Sequence, residues 1–153
     1  MIARLRPIAL LIGRVVLGVV FIAHGWQKFS TQGMDATAEG FESLGIPAPT
    51  LSAYFTVAAE LVGGAMLIVG ALLPLVGLAL TFVMLGAMYF VHPLDGAFFS
   101  REGGYEYVLL LAAVSIAIGF SGGGALALDS LWFKDKDKND QPEEHPAPAE
   151  SPA

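Results

Sequence analysis

Two ionisable residues sit where the sequence is otherwise apolar. Arg14 interrupts the run from Ile8 to Trp26, and Glu60 interrupts the run from Leu51 to Leu73. An ionisable group deep in a lipid-crossing helix costs about 2.5–3.5 kcal/mol on insertion scales, and it is kept where it is paired or functional. Arg14 lies about 9 Å along a helix from Ile8, and Glu60 about 14 Å along a helix from Leu51. If the two helices enter hydrocarbon about 30 Å thick from opposite faces, their heights nearly match. A guanidinium can grip a carboxylate with two hydrogen bonds. An Arg14–Glu60 pair is therefore expected between the first and second helices. It would serve either as a catalytic pair that holds or protonates a polar group, or as a structural clasp that fixes register. The competing picture has Arg14 snorkelling to the surface and Glu60 protonated.

A second polar set gathers near the ends of two apolar runs. His24, Lys28 and the intervening Gly25-Trp26-Gln27 end the first run, and His92-Pro93 ends the third. Lys28 is about four helical turns beyond Arg14, so it returns to nearly the same face. A cation there also suits a helix C-terminus. Glu106 opens the fourth run at the same level. His24, Lys28, His92 and Glu106 are thus the candidate ligand-binding residues at one mouth. A quinone head group, a haem or an acidic partner could be held there. Two histidines from two helices could ligate haem iron, but no further ligand pattern accompanies them, which leaves haem the weaker option. Interfacial histidines also serve as ordinary membrane-edge anchors.

Four helices must position these residues. The apolar stretches run over about 8–26, 51–73, 75–91 and 105–121, each within the length that crosses hydrocarbon as a helix. A lipid-crossing segment must satisfy its backbone internally, so these are helices and not open strands. Hydrophobic residues make up 55% of the chain and charged residues 14%. A soluble domain carries roughly 25% charged residues. The first stretch follows Arg4 and Arg6 as a signal peptide would, yet Ile22-Ala23-His24 is a poor cleavage site, so a retained helix is expected. Small residues at helical spacing suit close packing in lipid: Ala59, Gly63 and Gly70; Gly77 and Thr81; Ser115 and Gly119. Pro74 alone is expected to part the second and third spans. Residues 27–50 offer Met34, Ala38 and Phe41 on one face, which reads equally as an interfacial amphipathic helix or an ordered loop. Gly122-Gly123-Gly124 reads as a helix stop.

The expected fold is all-α, an integral membrane four-helix bundle over residues 1–133, followed by a disordered cytoplasmic tail at 134–153 rich in Pro, Glu and alternating charge. Arg4, Arg6, Lys134, Lys136 and Lys138 fall on one side, and Lys28 and Arg101 on the other. The positive-inside rule then puts both termini in the cytoplasm.

Several classes are excluded. There is no cysteine, so thiol redox chemistry and cysteine-held clusters are absent from this chain. No basic stripe supports nucleic-acid binding. Phosphate loops, zinc motifs and nucleophile elbows are missing, and no metal site is expected. A transporter reading is disfavoured by the absence of visible inverted repeats.

Arg14 followed by His24-Gly25 and Lys28-Phe29 resembles the first-helix signature of the DoxX family. Glu60-Leu61-Val62-Gly63-Gly64 resembles its second-helix motif, and Gly124 through Leu128-Asp129 its closing segment. The likeness covers about residues 5–133. It implies a small four-helix protein of the bacterial cytoplasmic (inner) membrane, in a family whose members often carry a provisional oxidoreductase label. Relatives are associated with quinone-linked thiosulfate oxidation, quinone detoxification and membrane redox complexes. The matching positions are Arg14, His24, Lys28, Glu60 and Asp129, none with a settled role. The expectation is a redox-associated subunit that binds a quinone-like molecule within the bundle, with the lipid bilayer and redox proteins as partners and self-association compatible with the fold. The alternative is a non-enzymatic scaffold that recruits partner proteins.

Overall fold

The computed structural model describes residues 2–92 and 94–130, all of it helix, turn and loop; the expected tail at 134–153 lies outside them. Helix α1 spans Ile2–Trp26 and continues through a wider π-turn at Gln27–Gln32. Then come α2 (Met34–Ser43), α3 (Pro49–Val69), α4 (Leu73–Phe90), a single 3-10 turn (Ser100–Glu102) and α5 (Glu106–Phe120). Three segments have the length and apolarity to cross a membrane: Leu5–Gln32, Pro49–Val69 and Leu73–Phe90. The fourth apolar helix, α5, has 15 residues. Residues 34–43 form a helix, so the ambiguity at this segment resolves in favour of the amphipathic α2.

The long helices pack as two antiparallel pairs. In the α1–α3 pair, a Cβ on Gly18 would lie 2.5 Å from the Gly64 carbonyl oxygen, and one on Gly64 would lie 2.7 Å from the Gly18 oxygen. In the α4–α5 pair, a Cβ on Gly77 would lie 2.7 Å from the Ser115 oxygen. Real Cβ atoms do not come so close, so glycine is required at these crossings; backbone contact of this kind is how helices associate in lipid. Phe21, Leu67, Leu73 and Leu80 fill the centre between the pairs.

The α3–α4 turn differs from expectation. Pro74 does not divide the helices; it sits in the first turn of α4, where its missing N–H goes unmissed. The break comes at Gly70 (φ 73), whose N–H and that of Ala71 bond back to Leu67 and Met66. This is a Schellman ending, which favours glycine because of its left-handed backbone.

After α5, residues 121–130 turn back across the end of the bundle that holds the N-terminus. Ala125 N–H donates to the Pro7 carbonyl, Leu128 to Val69 and Asp129 to Gly70. The Asp129 carboxylate accepts from Leu72 N–H (2.8 Å) and Leu73 N–H (2.9 Å), capping α4. Leu72 has φ 50, a conformation costing a non-glycine residue roughly 1–2 kcal/mol, and the cap holds it there.

Candidate functional site

The expected Arg14–Glu60 pair does not form; the structure places the two at different levels. The Gly18–Gly64 crossing sets the register between α1 and α3. It brings Gly25 against Glu60 and Leu61, and Arg14 against Gly70. Glu60 therefore lies about 15 Å further along α3 than the residue Arg14 meets. Arg14 is buried (1% exposed). Its Nη2 donates to the Ala125 carbonyl at 2.8 Å. Nε and Nη1 have no partner among the described residues. Arg14 thus secures the returning segment that carries Asp129.

Glu60 is taken by Lys28 instead. Lys28 Nζ donates to Oε1 at 2.9 Å and to Oε2 at 2.8 Å. The Glu60 side chain is 2% exposed and the Lys28 side chain 23%. A lysine ammonium has three donors, so one N–H of Lys28 remains for another acceptor. Two local features aim it. Gly25 lets α1 approach to where a Cβ would stand 3.0 Å from Glu60 Cβ. The π-turn then carries Lys28 around the end of the helix. Thr37 of α2, buried, places its hydroxyl 2.8 Å from the Gly33 carbonyl and 3.3 Å from that of Lys28, so one proton ties α2 to the turn.

Lys28 and Glu60 form one wall of a cavity of about 350 Å³ between the two helix pairs, at the end of the bundle that carries α2. His24 and His92 also line it, as does Tyr107 from the first turn of α5. His24 Nε2 lies 3.4 Å from the Tyr107 hydroxyl. His92 Nδ1 donates to the Gly103 carbonyl at 2.8 Å. The remaining surface is mainly apolar, with Val83, Met84 and Leu111 at its buried floor and Phe41 and Ile46 across the top.

Of the residues expected at one mouth, the structure gathers His24, Lys28 and His92 and leaves out Glu106. The Glu106 carboxylate accepts from Ser100 N–H at 2.9 Å and braces the 94–104 loop. Side chains in a helix lean toward its N-terminus, so one in the first turn of α5 reaches back to the preceding loop. Tyr107 and Thr37 were not singled out from sequence. Tyr107 could have been, since it shares the first turn of α5 with Glu106 and so falls at the level of His24. Thr37 carries no such signal. Among the described residues no group of three or more His, Asp or Glu side chains is arranged to hold a metal ion.

An apolar chamber with an ion pair, two imidazoles and a phenol on its walls can bind a small ring bearing hydrogen-bond acceptors. It fits the general form of small-molecule sites, which are largely apolar with a few placed polar groups in roughly 300–1,000 Å³.

Comparison with known proteins agrees in outline. The family described as DoxX matches residues 9–93. The chain is 36% identical over 129 residues to the "Putative oxidoreductase CatD" of Bacillus subtilis (strain 168), covering 84% of this chain and 90% of that protein. It is 32% identical over 131 residues to an uncharacterized protein of Haemophilus influenzae, covering 84% and 94%. It is 30% identical over 132 residues to the "Inner membrane protein YphA" of Escherichia coli (strain K12), covering 81% and 90%. No solved structure matches.

Proposed function

The chain belongs to the DoxX family, and from that premise we propose that it is a redox-associated membrane subunit whose cavity binds the ring of a quinone-like molecule. It is a multi-pass protein of the bacterial inner membrane. The observation that carries the reading is the Lys28–Glu60 pair on the wall of an otherwise apolar chamber. A buried ion pair is no gain in stability over apolar residues of the same shape, so its place on a cavity wall favours a binding role.

The donor set fits a quinone. Each ring carbonyl accepts hydrogen bonds, and the walls offer the third N–H of Lys28 and the Tyr107 hydroxyl, whose proton is free when His24 Nε2–H donates to it; His92, its Nδ1–H given to Gly103, presents Nε2 as an acceptor suited to the hydroxyl of the reduced ring. Two-electron, two-proton exchange is the chemistry a quinone supplies when bound. Lys28 and Tyr107 orient the ring, and Glu60 holds Lys28 in place. The apolar floor excludes water. The name of the Bacillus subtilis relative points to the same reaction class.

In this reading α5 crosses the bilayer as a fourth, short span, and the α2 end faces outward. A 15-residue helix is about 22 Å long, so the bilayer thins slightly around it. Arg14 is then a structural residue of the inner end.

The test is to purify the protein in mild detergent, record its absorption spectrum and extract lipophilic ligands for mass spectrometry, beside the Lys28→Met variant. A quinone recovered with the wild type and lost from the variant is expected. Recovery of no quinone, haem or flavin across several growth conditions would overturn the reading in favour of a scaffold that recruits partner proteins.

A further inference from the structure

The cavity is walled unevenly. Toward α2 it is covered by Phe41 and the turn at Ile46. At its floor the lining side chains Glu60, Val83, Met84 and Leu111 are buried. On the α3–α4 seam the lining residues are different in kind. Phe55 is 45% exposed and Phe82 68% exposed, although both also line the cavity. Phe82 stands mid-way along α4 (Leu73–Phe90), far from either end of the helix, so in a membrane its exposed face meets hydrocarbon and not water. The two rings meet edge-on, 6.1 Å between centroids, one from each helix. One turn beyond Phe82, Gly86 also lines the cavity, and a Cβ placed there would meet nothing within 4 Å. The contrast with Gly18, Gly64 and Gly77, where a Cβ would strike backbone, is informative. Those glycines close helix crossings, whereas Gly86 borders open space. Helices α3 and α4 are tied by the short turn at 70–72 and packed through Gly63 against Leu80, so the gap lies beyond that contact, toward α2.

We propose that the open space at Gly86, beside the Phe55–Phe82 contact, is a lateral window through which the cavity communicates with the bilayer, and that its ligand is a tailed, lipid-dissolved molecule whose ring lies against Lys28 and Glu60 while its apolar tail leaves past Gly86, along the edge of the Phe55–Phe82 pair, into lipid. The proposal deepens the quinone-like reading and rests on it. It specifies a ligand class, an aromatic ring on an isoprenoid or alkyl chain, and a route that never requires the tail to leave hydrocarbon. A route from the α2 end alone would demand that the tail be drawn through water, at a penalty for every methylene.

The experiment uses the full chain in lipid nanodiscs with two probes, a naphthoquinone bearing an isoprenoid tail and the same ring without one, with concentrations expressed per lipid. The wild type is expected to bind both within about threefold of each other. Gly86→Phe, which plugs the window, is expected to weaken the tailed probe about tenfold and the tailless one by less than about twofold. Lys28→Met weakens both, because it removes the ring contact. The window is overturned if Gly86→Phe weakens both probes equally or spares the tailed one. If the wild type binds neither probe, the quinone-like reading fails and the window falls with it. A second measurement needs no variant: a diazirine on the first unit of the tail should label peptides containing Phe55 and Phe82. Label confined to α1, α2 or α5 would overturn the proposal.

Discussion

Lys28 and Glu60 are held by each other more than by their surroundings, and this makes them measurable as a pair. Breaking a fully buried pair from one side costs about 3–5 kcal/mol. Here the Lys28 side chain is 23% exposed, so a coupling of about 1–3 kcal/mol is expected. A double-mutant cycle of Lys28→Met and Glu60→Gln, read by unfolding in denaturing detergent, should give that value; additive single effects would dismiss the pair as a determinant of stability. The same cycle run with Arg14→Gln and Glu60→Gln should be additive to about 0.5 kcal/mol. The sequence made both residues conspicuous but paired them wrongly, and the cause is specific. Heights counted from the ends of apolar runs assume that each run starts at the membrane edge. The register is in fact set by which glycines meet, and the Gly18–Gly64 crossing puts Lys28, not Arg14, within reach of Glu60. Asp129 offers a separate check. Asp129→Ala removes two bonds to the start of α4 and should destabilise the fold by about 1–2 kcal/mol in the same unfolding assay. An unchanged midpoint would show that Leu72 does not need its cap.

At the scale of elements, small residues fall into two kinds that sequence spacing cannot separate. Gly64 and Gly77 sit where a Cβ would enter the backbone of the neighbouring helix, and Gly86 sits beside open space. Gly64→Val and Gly77→Val should each destabilise the bundle by about 1–3 kcal/mol or more by forcing helices apart, whereas Gly86→Ala should be neutral or slightly stabilising, as alanine is the better helix former. Equal effects at all three positions, measured by detergent unfolding, would contradict the packing described here. The positions of the four apolar helices were legible from hydropathy, because runs such as that from Leu51 onward contain little else. Their ends were less so. Gly70 stops α3 three residues before Leu73 through a backbone conformation that the apolar pattern does not reveal, and the π-turn after Trp26 has no compositional mark at all. The cavity was half legible. His24, Lys28 and His92 follow from the levels at which helices end, while Tyr107 and the aromatic pair Phe55 and Phe82 became visible only once the helices were paired.

For the whole molecule, the asymmetry between the two ends of the bundle decides how the cavity faces the cell. One end carries α2, the 94–104 loop and the acidic residues Asp35, Glu39, Glu42, Asp95 and Glu102. The other carries Arg6, whose guanidinium donates to the Ser121 carbonyl, and the returning segment with Asp129. Positive residues favour the cytoplasmic side, so the α2 end, and with it the cavity and the mouth near His24 and His92, should face outward. Because the chain has no cysteine, an introduced one is the only thiol present, and topology can be read directly. Ser43→Cys at the end of α2 and Ser130→Cys on the returning segment both replace exposed serines. In intact spheroplasts a membrane-impermeant maleimide should label Ser43→Cys, and it should label Ser130→Cys only after the membrane is opened. The reverse pattern would invert the molecule and turn the cavity toward the cytoplasm. Labelling of both from one side would mean that an even number of helices crosses between them. The 15-residue α5 would then lie on the membrane and not span it, which would leave the cavity without the wall that carries Tyr107.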